Sequence, residues 1–233
     1  MAAAPFQQCS IIIPVLNDAD SLLNLLEQLQ PARHLGHEVI VVDGGSDDDT
    51  ESVCTNRVDC FVSSQAGRSV QMNTGAASAA GEIFWFLHAD SQLHIESCIQ
   101  QLGAIYESGK VWGRFDIRLS GKDWRFRIIE SLMNWRSALT GIATGDQGIF
   151  VNRNAYEHIN GYAVIPLMED IEISKRLKKF SSPLLCSQKI TTSSRRWEKN
   201  GILRTVLLMW YLRLAYALGT SPQQLSKYYR PCS

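Results

Sequence analysis

Four short segments carry side chains whose types and spacing suit group-transfer chemistry. The first is Asp43-Gly44-Gly45-Ser46, which directly follows the apolar run Val39-Ile40-Val41-Val42. Glycines let a backbone turn sharply beside a ligand, and an aspartate there can accept hydrogen bonds from a nucleobase or ribose. The alternative is a plain strand-to-helix turn whose acids, Asp47 to Asp49, cap the next helix. Asp48 and Asp49 are read as such caps, and Asp43 as the ligand contact. The second segment is His88-Ala89-Asp90, after the apolar run 83–87. Two metal-capable side chains at i and i+2 can face one cation at a strand end. A divalent ion there would act as Lewis acid and template for a diphosphate leaving group. The alternative is a polar loop with Asp90 capping the following helix.

Met168-Glu169-Asp170 forms the third segment and opens a helix. Paired acids suit the positive end of a helix dipole whatever their role, and a carboxylate there can also take a proton from an acceptor hydroxyl. In the fourth, Arg195-Arg196-Trp197, guanidinium groups suit phosphate and the indole offers a stacking face to a sugar or base. The alternative is a solvated basic turn with Trp197 in the core. Arg68, behind Gly67, is either a further anion contact or a helix-start residue. The pair His34 and His37 is assigned to a solvated loop, because no further ligand lies nearby in sequence.

These segments need a frame to bring them together, and the chain's periodicity supplies one. Apolar runs at 10–15, 38–42, 60–62 and 83–87 read as strands. Helical spacing at Leu22, Leu25, Leu26 and Leu29, an Ala-rich stretch over 69–80 packed closely on the sheet, and 95–106 read as helices. Asp20 or Ser21 is the expected cap of the first helix. Alternation of this kind predicts βαβ units and a mainly parallel sheet, in which ligands bind at the carboxyl ends of the strands. Asp43 and His88-Ala89-Asp90 fall at two such ends. Further on, 115–119 and 148–151 read as strands, and 124–139 and 169–179 as helices. The stretch Ile202 to Leu218 is apolar nearly all round, broken by Arg204, Thr205 and Arg213. It reads as a buried helix or, alternatively, as a helix at a membrane interface or dimer contact.

The 233 residues fit one α/β domain, with a core over about 10–200 and a helical segment over about 201–233. Lys+Arg and Asp+Glu each number 23, a zero net charge that argues against a general nucleic-acid binder. The six cysteines are scattered, without a C-x-x-C pair, and read as buried or free thiols. The first eight residues show no secretory signal, and no apolar stretch is long enough to span a bilayer. The expected location is the cytoplasm, with peripheral attachment at the inner face of the membrane as a variant.

In order, the segments resemble family 2 glycosyltransferases. The matching pieces are Ser10-Ile11-Ile12-Ile13-Pro14-Val15-Leu16-Asn17, the 41–50 segment around Asp43, Gly67-Arg68 with Asn73-Thr74-Gly75-Ala76, and Ala80-Gly81-Glu82-Ile83 before Phe86-Leu87-His88-Ala89-Asp90. Gly145-Asp146-Gln147-Gly148 and Met168-Glu169-Asp170 follow. The likeness covers roughly 10–200 and looks most like compact bacterial members. It implies a GT-A fold, a single Rossmann-like sheet flanked by helices. It implies a nucleotide-diphosphate sugar donor and a divalent metal, Mg²⁺ or Mn²⁺. Donor contacts would come from Pro14, Asn17, Asp43, Gly44, Arg68, Asn73, His88, Asp90, Arg196 and Trp197, with Asp90 and His88 on the metal. Asp170 would be the base of an inverting displacement, supported by Glu169.

Two departures qualify the resemblance. The usual D-x-D is here His88-Ala89-Asp90, and the processive Gln-x-x-Arg-Trp has Ser193 in the Gln position. A single transfer to a small or lipid-linked acceptor is therefore expected, with a peripheral membrane contact or homodimer through 202–218. The competing readings are a catalytically inactive nucleotide-sugar-binding protein, favoured by His88, and a nucleotidyltransferase. The latter is disfavoured because Pro14-Val15-Leu16-Asn17-Asp18 stands where a Gly-rich basic loop would follow the first strand.

Overall fold

The computed structural model describes residues 8–229. One seven-stranded sheet organises them: β1 (Cys9–Val15), β2 (Glu38–Asp43), β3 (Cys60–Ser63), β4 (Ile83–Phe86), β5 (Trp112–Leu119), β6 (Phe150–Asn152) and β7 (Leu184–Thr192). The spatial order is β3-β2-β1-β4-β6-β5-β7. Strands β3, β2, β1 and β4 run parallel, β6 is antiparallel to both β4 and β5, and β5 and β7 are again parallel. The helices are α1 (Ala19–His34), α2 (Thr50–Cys54), α3 (Arg68–Ser78), α4 (Ile95–Ser108), α5 (Trp124–Thr140), α6 (Arg153–His158), α7 (Glu169–Leu177), α8 (Arg195–Asn200), α9 (Ile202–Ala217) and α10 (Pro222–Ser226). The expected mainly parallel sheet with flanking helices is what the chain forms.

Side-chain alternation in β1 explains why both sheet faces are covered. Ile11, Ile13 and Val15 meet Leu22, Leu25, Leu26 and Leu29 of α1 and Ile95, Cys98 and Leu102 of α4. Ile12 points the other way, into a second core with Met72 and Ala76 of α3 and Ile173 and Leu177 of α7. Each such buried side chain contributes roughly 1.5–3 kcal/mol. Close packing of α3 depends on Gly75. A Cβ there would lie 2.5 Å from Ile12 Cγ2 and 2.9 Å from Val42 Cγ2, so any larger residue would lift the helix off β1 and β2.

Several local expectations are corrected. Helix α1 begins at Ala19, and neither Asp20 nor Ser21 caps it; the Ala19 N–H donates to Asp48 Oδ2 at 3.0 Å, from the turn after β2. Asp48 also accepts from the Thr50 N–H at 3.0 Å and so serves the start of α2 as a cap. His37 is buried, and its Nδ1 accepts the Cys9 N–H at 3.1 Å, whereas His34 is exposed. Strand β7 was not visible in the sequence. It is an edge strand on β5 whose inward positions 186, 188, 190 and 192 hold Cys, Gln, Ile and Thr, so the alternation is kept but only two of the four are apolar. Cys9, Cys54, Cys60, Cys98 and Cys186 are free thiols, and Cys232 lies outside the described residues. Helix α9 is not buried: only Thr205 and Leu212 are.

Candidate functional site

The carboxyl ends of β1 and β2 are stitched together before any ligand is considered. Asn17 turns the chain after β1 with a φ of 52°, a left-handed conformation that Asn tolerates. Its side-chain Oδ1 accepts the Asp47 N–H at 2.9 Å, and its own N–H donates to Ser46 Oγ at 2.9 Å. The Gly44 N–H donates to Val15 O at 2.9 Å. Asp43 is 8% exposed, and its carboxylate accepts from the Gly45 N–H at 3.2 Å, the Ser46 N–H at 3.1 Å and the Ser46 hydroxyl at 2.5 Å. Asp43 thus organises its own turn. Pro14 sits opposite Val42, one residue before the strand end, and is only partly covered.

Beneath this turn lies Gln71 of α3, a residue that sequence reasoning missed. It is buried, and its Nε2 donates to Val15 O at 2.7 Å and Val42 O at 2.8 Å, clamping the ends of both strands. Gly44 is small because a Cβ would lie 3.1 Å from that Nε2. The available signal was a Gln one helical turn before Gly75, on the face of α3 that meets the sheet.

The end of β4 lies next to β1, two strand spacings from β2, about 10 Å. Here His88 Nδ1 stands 2.9 Å from Asp146 Oδ1. An ionised carboxylate only accepts hydrogen bonds, so Nδ1 carries the proton. Asp146 belongs to a 3₁₀ turn, Gly145–Gln147, held by Thr144 and Gln147 in a capping box. Gly145 makes room for the imidazole, since a Cβ would lie 2.7 Å from His88 Nε2. Asp90 points toward the C-terminal end of β7, where its Oδ2 accepts the Ser193 N–H at 3.3 Å. It does not cap α4, whose N-cap is His94.

Helix α7 brings the paired acids to the same place. Met168, before Glu169, has a φ of 69°, rare for a bulky side chain, and it is buried. That turn lets Glu169 and Asp170 open the helix together, as the sequence predicts. Asp170 Oδ2 accepts the Gly145 N–H at 3.1 Å, and Oδ1 accepts the Ile171 N–H at 2.7 Å. Glu169 is 6% exposed and faces Arg68 at 3.5 Å. One cavity is lined by Arg68, Met72, Phe86, His88, Gly145, Ile149, Tyr162, Glu169 and Asp170. Arg68, His88, Glu169 and Asp170 are therefore brought together.

Charge is unevenly shared within this cluster. Burial, then the neighbouring Asp170 charge, pushes the Glu169 carboxyl up, against the pull of Arg68. Burial likewise raises Asp90, with His88 opposing and Asp146 adding. Asp146 goes the other way: desolvation works against its charge, but the His88 hydrogen bond and the Arg68 and Arg196 guanidinium groups hold it below the usual carboxylate range. Asp146 lies in the matching segment 145–148, but its role depends on partners from β4, α3 and α8 that are distant in the chain.

Two expected donor contacts are corrected. Asn73 is turned away from the cavity by three hydrogen bonds. Its Nδ2 donates to Tyr162 O at 2.9 Å, while Oδ1 accepts the Tyr156 hydroxyl at 2.7 Å and the Tyr162 N–H at 2.9 Å. Trp197 is half-buried and packs against an apolar cluster of Ile117, Leu119 and Phe126, apart from the residues that line the cavity. Arg196 stays near the site and lies over the Tyr229 ring, 3.7 Å from its centroid. Arg195 ties α8 to the start of α1, its Nη2 reaching Ser21 Oγ at 3.1 Å.

The sequence model of glycosyl transferase family 2 matches residues 10–162. The chain belongs to glycosyl transferase family 2. An uncharacterized glycosyltransferase of Mycobacterium tuberculosis is 31% identical over 132 residues, 53% of this chain and 50% of its own. An undecaprenyl-phosphate 4-deoxy-4-formamido-L-arabinose transferase of Pseudomonas savastanoi is 29% identical over 161 residues, 64% of this chain and 47% of its own. The chain spans about half the length of the curated relatives it matches. Among solved structures, S. aureus TarS superposes with a TM-score of 0.65 at 18% identity, covering 80% of this chain and 60% of TarS. A Pyrobaculum calidifontis mannosyltransferase, solved with GDP-Man and Mn²⁺, gives 0.65 at 16% identity, covering 97% and 66%. These likenesses establish the GT-A fold for this family 2 chain.

A divalent ion, present beside nucleotide in structures of that fold, finds an incomplete but suitable donor set here. Among the described residues no three His, Cys, Asp or Glu side chains form a ready-made metal cluster. Asp90 is a half-buried carboxylate whose raised pKa a cation would relieve, and the ring of His88 is oriented by Asp146, as outer carboxylates orient metal-binding imidazoles. Mg²⁺ characteristically takes one or two carboxylates and completes its shell with substrate phosphates and water. The residues fit an ion that arrives with a diphosphate.

Proposed function

We propose that the chain transfers a sugar from a nucleotide-diphosphate donor to an acceptor hydroxyl in one inverting, non-processive displacement. The observation that carries this reading is the cluster of Arg68, His88, Glu169 and Asp170 around one small cavity beside the end of β4. Nucleotide binding at the ends of β1 and β2 would use Pro14, Asn17, Asp43 and Gly44, with Gln71 setting the strand ends. Asp90 and His88 would hold the divalent ion, and Arg68 and Arg196 would face the diphosphate. The ion would supply charge neutralisation for the leaving diphosphate.

Asp170 is the base in this reading. As the acceptor oxygen bonds to the anomeric carbon, the carbon–oxygen bond to the diphosphate breaks and its electron pair leaves with the nucleoside diphosphate. The acceptor proton passes to Asp170, whose direction is fixed by the Gly145 and Ile171 N–H groups. Glu169, buried against Arg68, shapes the field around it. The acceptor is lipid-linked, by analogy with the relative named for undecaprenyl phosphate. No helix among the described residues is long and apolar enough to cross a membrane. The test is a screen of UDP-, GDP- and dTDP-sugars with and without Mn²⁺ or Mg²⁺, read by nucleotide release and by thermal shift. A ligand at 100 times its dissociation constant stabilises by about 2.7 kcal/mol. Binding without any turnover across the panel would favour an inactive nucleotide-sugar-binding protein, and no binding at all would refute the site.

A further inference from the structure

Helices α5 and α9 share an unusual layout. On α5 the exposed large residues are Trp124, Ile128, Leu132, Trp135 and Leu139, spaced four, four, three and four residues apart. On α9 they are Leu203, Leu207, Trp210, Tyr211 and Leu214, with Leu218 just beyond the helix. At about 100° per residue each set forms one continuous stripe. Each stripe lies opposite the face by which its helix packs. That face holds Phe126, Glu130 and Ser137 on α5, and Thr205 and Leu212 on α9. Isolated exposed apolar residues are ordinary, but two long stripes of this kind mark an interaction surface.

The two helices are neighbours. Phe126, Ile129 and Met133 of α5 share an apolar cluster with Trp197 and Ile202, where α9 begins. Toward their other ends, Leu208, Leu212 and Ala215 of α9 pack in one apolar cluster with Ile142, just after α5. The same cluster takes in Met168 and Ile171, which flank Glu169 and Asp170, so this end of α9 lies against the start of α7.

Charge decides what covers the stripes. Helix α9 contains no acidic residue, and the single acid of α5, Glu130, is buried and accepts the Leu119 N–H at 3.0 Å. Lys122, Arg125 and Arg204 are exposed beside the stripes, Arg125 paired with Asp123 at the start of α5, while Arg127, paired with Glu130, and Arg136 and Arg213 are half-buried at their edges. A symmetric contact between two copies would set this net-positive patch against itself. An anionic lipid surface complements it instead, taking the apolar residues at the acyl boundary and the guanidinium groups at the headgroups. Three exposed tryptophans and a tyrosine among the stripe residues suit that interface.

We propose that α5 and α9 form a docking face that lies in the surface of an anionic lipid bilayer and holds the cavity against it. The inference deepens the lipid-linked-acceptor reading and rests on it for its purpose, yet it is testable without donor or acceptor. The chain should float with vesicles of phosphatidylcholine mixed with phosphatidylglycerol, with a blue shift of tryptophan emission, and float weakly with phosphatidylcholine alone. Leu132→Glu with Trp135→Glu, or Leu207→Glu with Trp210→Glu, should reduce partitioning by about tenfold or more. Arg125→Gln and Arg204→Gln should each lose about fivefold, on anionic vesicles only. All these positions lie outside the cavity, so melting temperature and nucleotide binding should not change. Absence from the floating fraction, or equal flotation of wild type and variants, would overturn the proposal. So would a light-scattering dimer that the glutamate variants dissociate. Flotation by a chain that binds no nucleotide would instead sink the transferase reading and leave the docking face standing.

Discussion

His88 Nδ1 lies 2.9 Å from Asp146 Oδ1, joining the end of β4 to the turn that leads into β6. The contact fixes the imidazole in the tautomer that leaves Nε2 as its free acceptor, and Asp146 stays ionised through it. A histidine in place of the first acid of D-x-D therefore still presents an oriented donor atom. Asp146→Asn removes the charge that sets this tautomer. Loss of such an outer partner typically costs 10–100-fold in metal affinity or activity. Calorimetry of UDP and GDP should show that loss with Mn²⁺ present and little change in excess chelator. Equal Mn²⁺-dependent affinities would make the pair purely structural.

Asp170→Asn preserves shape and removes basicity. General-base catalysis is worth about 10²–10⁴-fold, so turnover should fall on that scale while donor affinity persists. Glu169→Gln should fall less, because Glu169 is held by Arg68 and acts on the field around the base. The reverse ranking would exchange their roles, and normal turnover by both variants would leave the pair as a helix start only.

Glu169 also makes a prediction about stability. Its carboxyl is raised in the folded chain above its ordinary 4.5, so between the two values the folded state binds the extra proton. Stability from this group is thus present at low pH and is lost as pH rises through the folded value. Urea denaturation from about pH 4 to 7 should show wild type losing ground to Glu169→Gln as pH increases. A wild-type advantage that grows with pH would mean the Arg68 pair outweighs burial.

The parts of the fold legible in the sequence were those set by local pattern. Continuous apolar strands, leucines at helical spacing and glycine turns placed β1 to β4 and the residues at their ends, as well as the opening of α7 at Glu169. What escaped depended on partners distant in the chain. Asn73 looked like a ligand contact, but its amide is taken up by Tyr156 and Tyr162, more than eighty residues away. Trp197 is claimed by a cluster centred on β5 and α5. Asp146 lay in a matching segment but its partner His88 comes from β4, Gln71 had nothing in its neighbourhood to announce it, and polar Gln188 and Thr192 on the inner face hid the alternation of β7. Apolar residues at 202–218 were visible, but their exposure on one stripe was not, since it depends on which side the domain covers.

Asn73→Ala tests one of these corrections. It removes three hydrogen bonds that hold α3 to Tyr156 of α6 and to Tyr162 in the segment after it. Each net bond is worth about 0.5–1.5 kcal/mol, and a stranded buried partner costs about 1–3 kcal/mol. The variant should lose roughly 2 kcal/mol or more of unfolding free energy with nucleotide affinity kept in whatever remains folded. A folded variant of wild-type stability that binds nucleotide poorly would restore Asn73 to the donor site.

Asp43 calls for the finest discrimination. A ligand-contact role alone, as read from the sequence, would make Asp43→Ala weaken nucleotide binding and leave the fold intact. The structure separates those two effects, because the carboxylate accepts from the Gly45 and Ser46 N–H groups and the Ser46 hydroxyl. Removing it strands those donors much as losing a helix cap does, at about 0.5–2 kcal/mol. Asp43→Ala should therefore lower both stability and affinity. Asp43→Asn retains an acceptor for the turn but places an amide where a ribose or base donor would meet a carboxylate. Its stability should lie near wild type while its affinity falls toward that of the alanine variant. If Asp43→Asn binds nucleotide as wild type does and only Asp43→Ala is impaired, Asp43 builds the turn and does not touch the ligand.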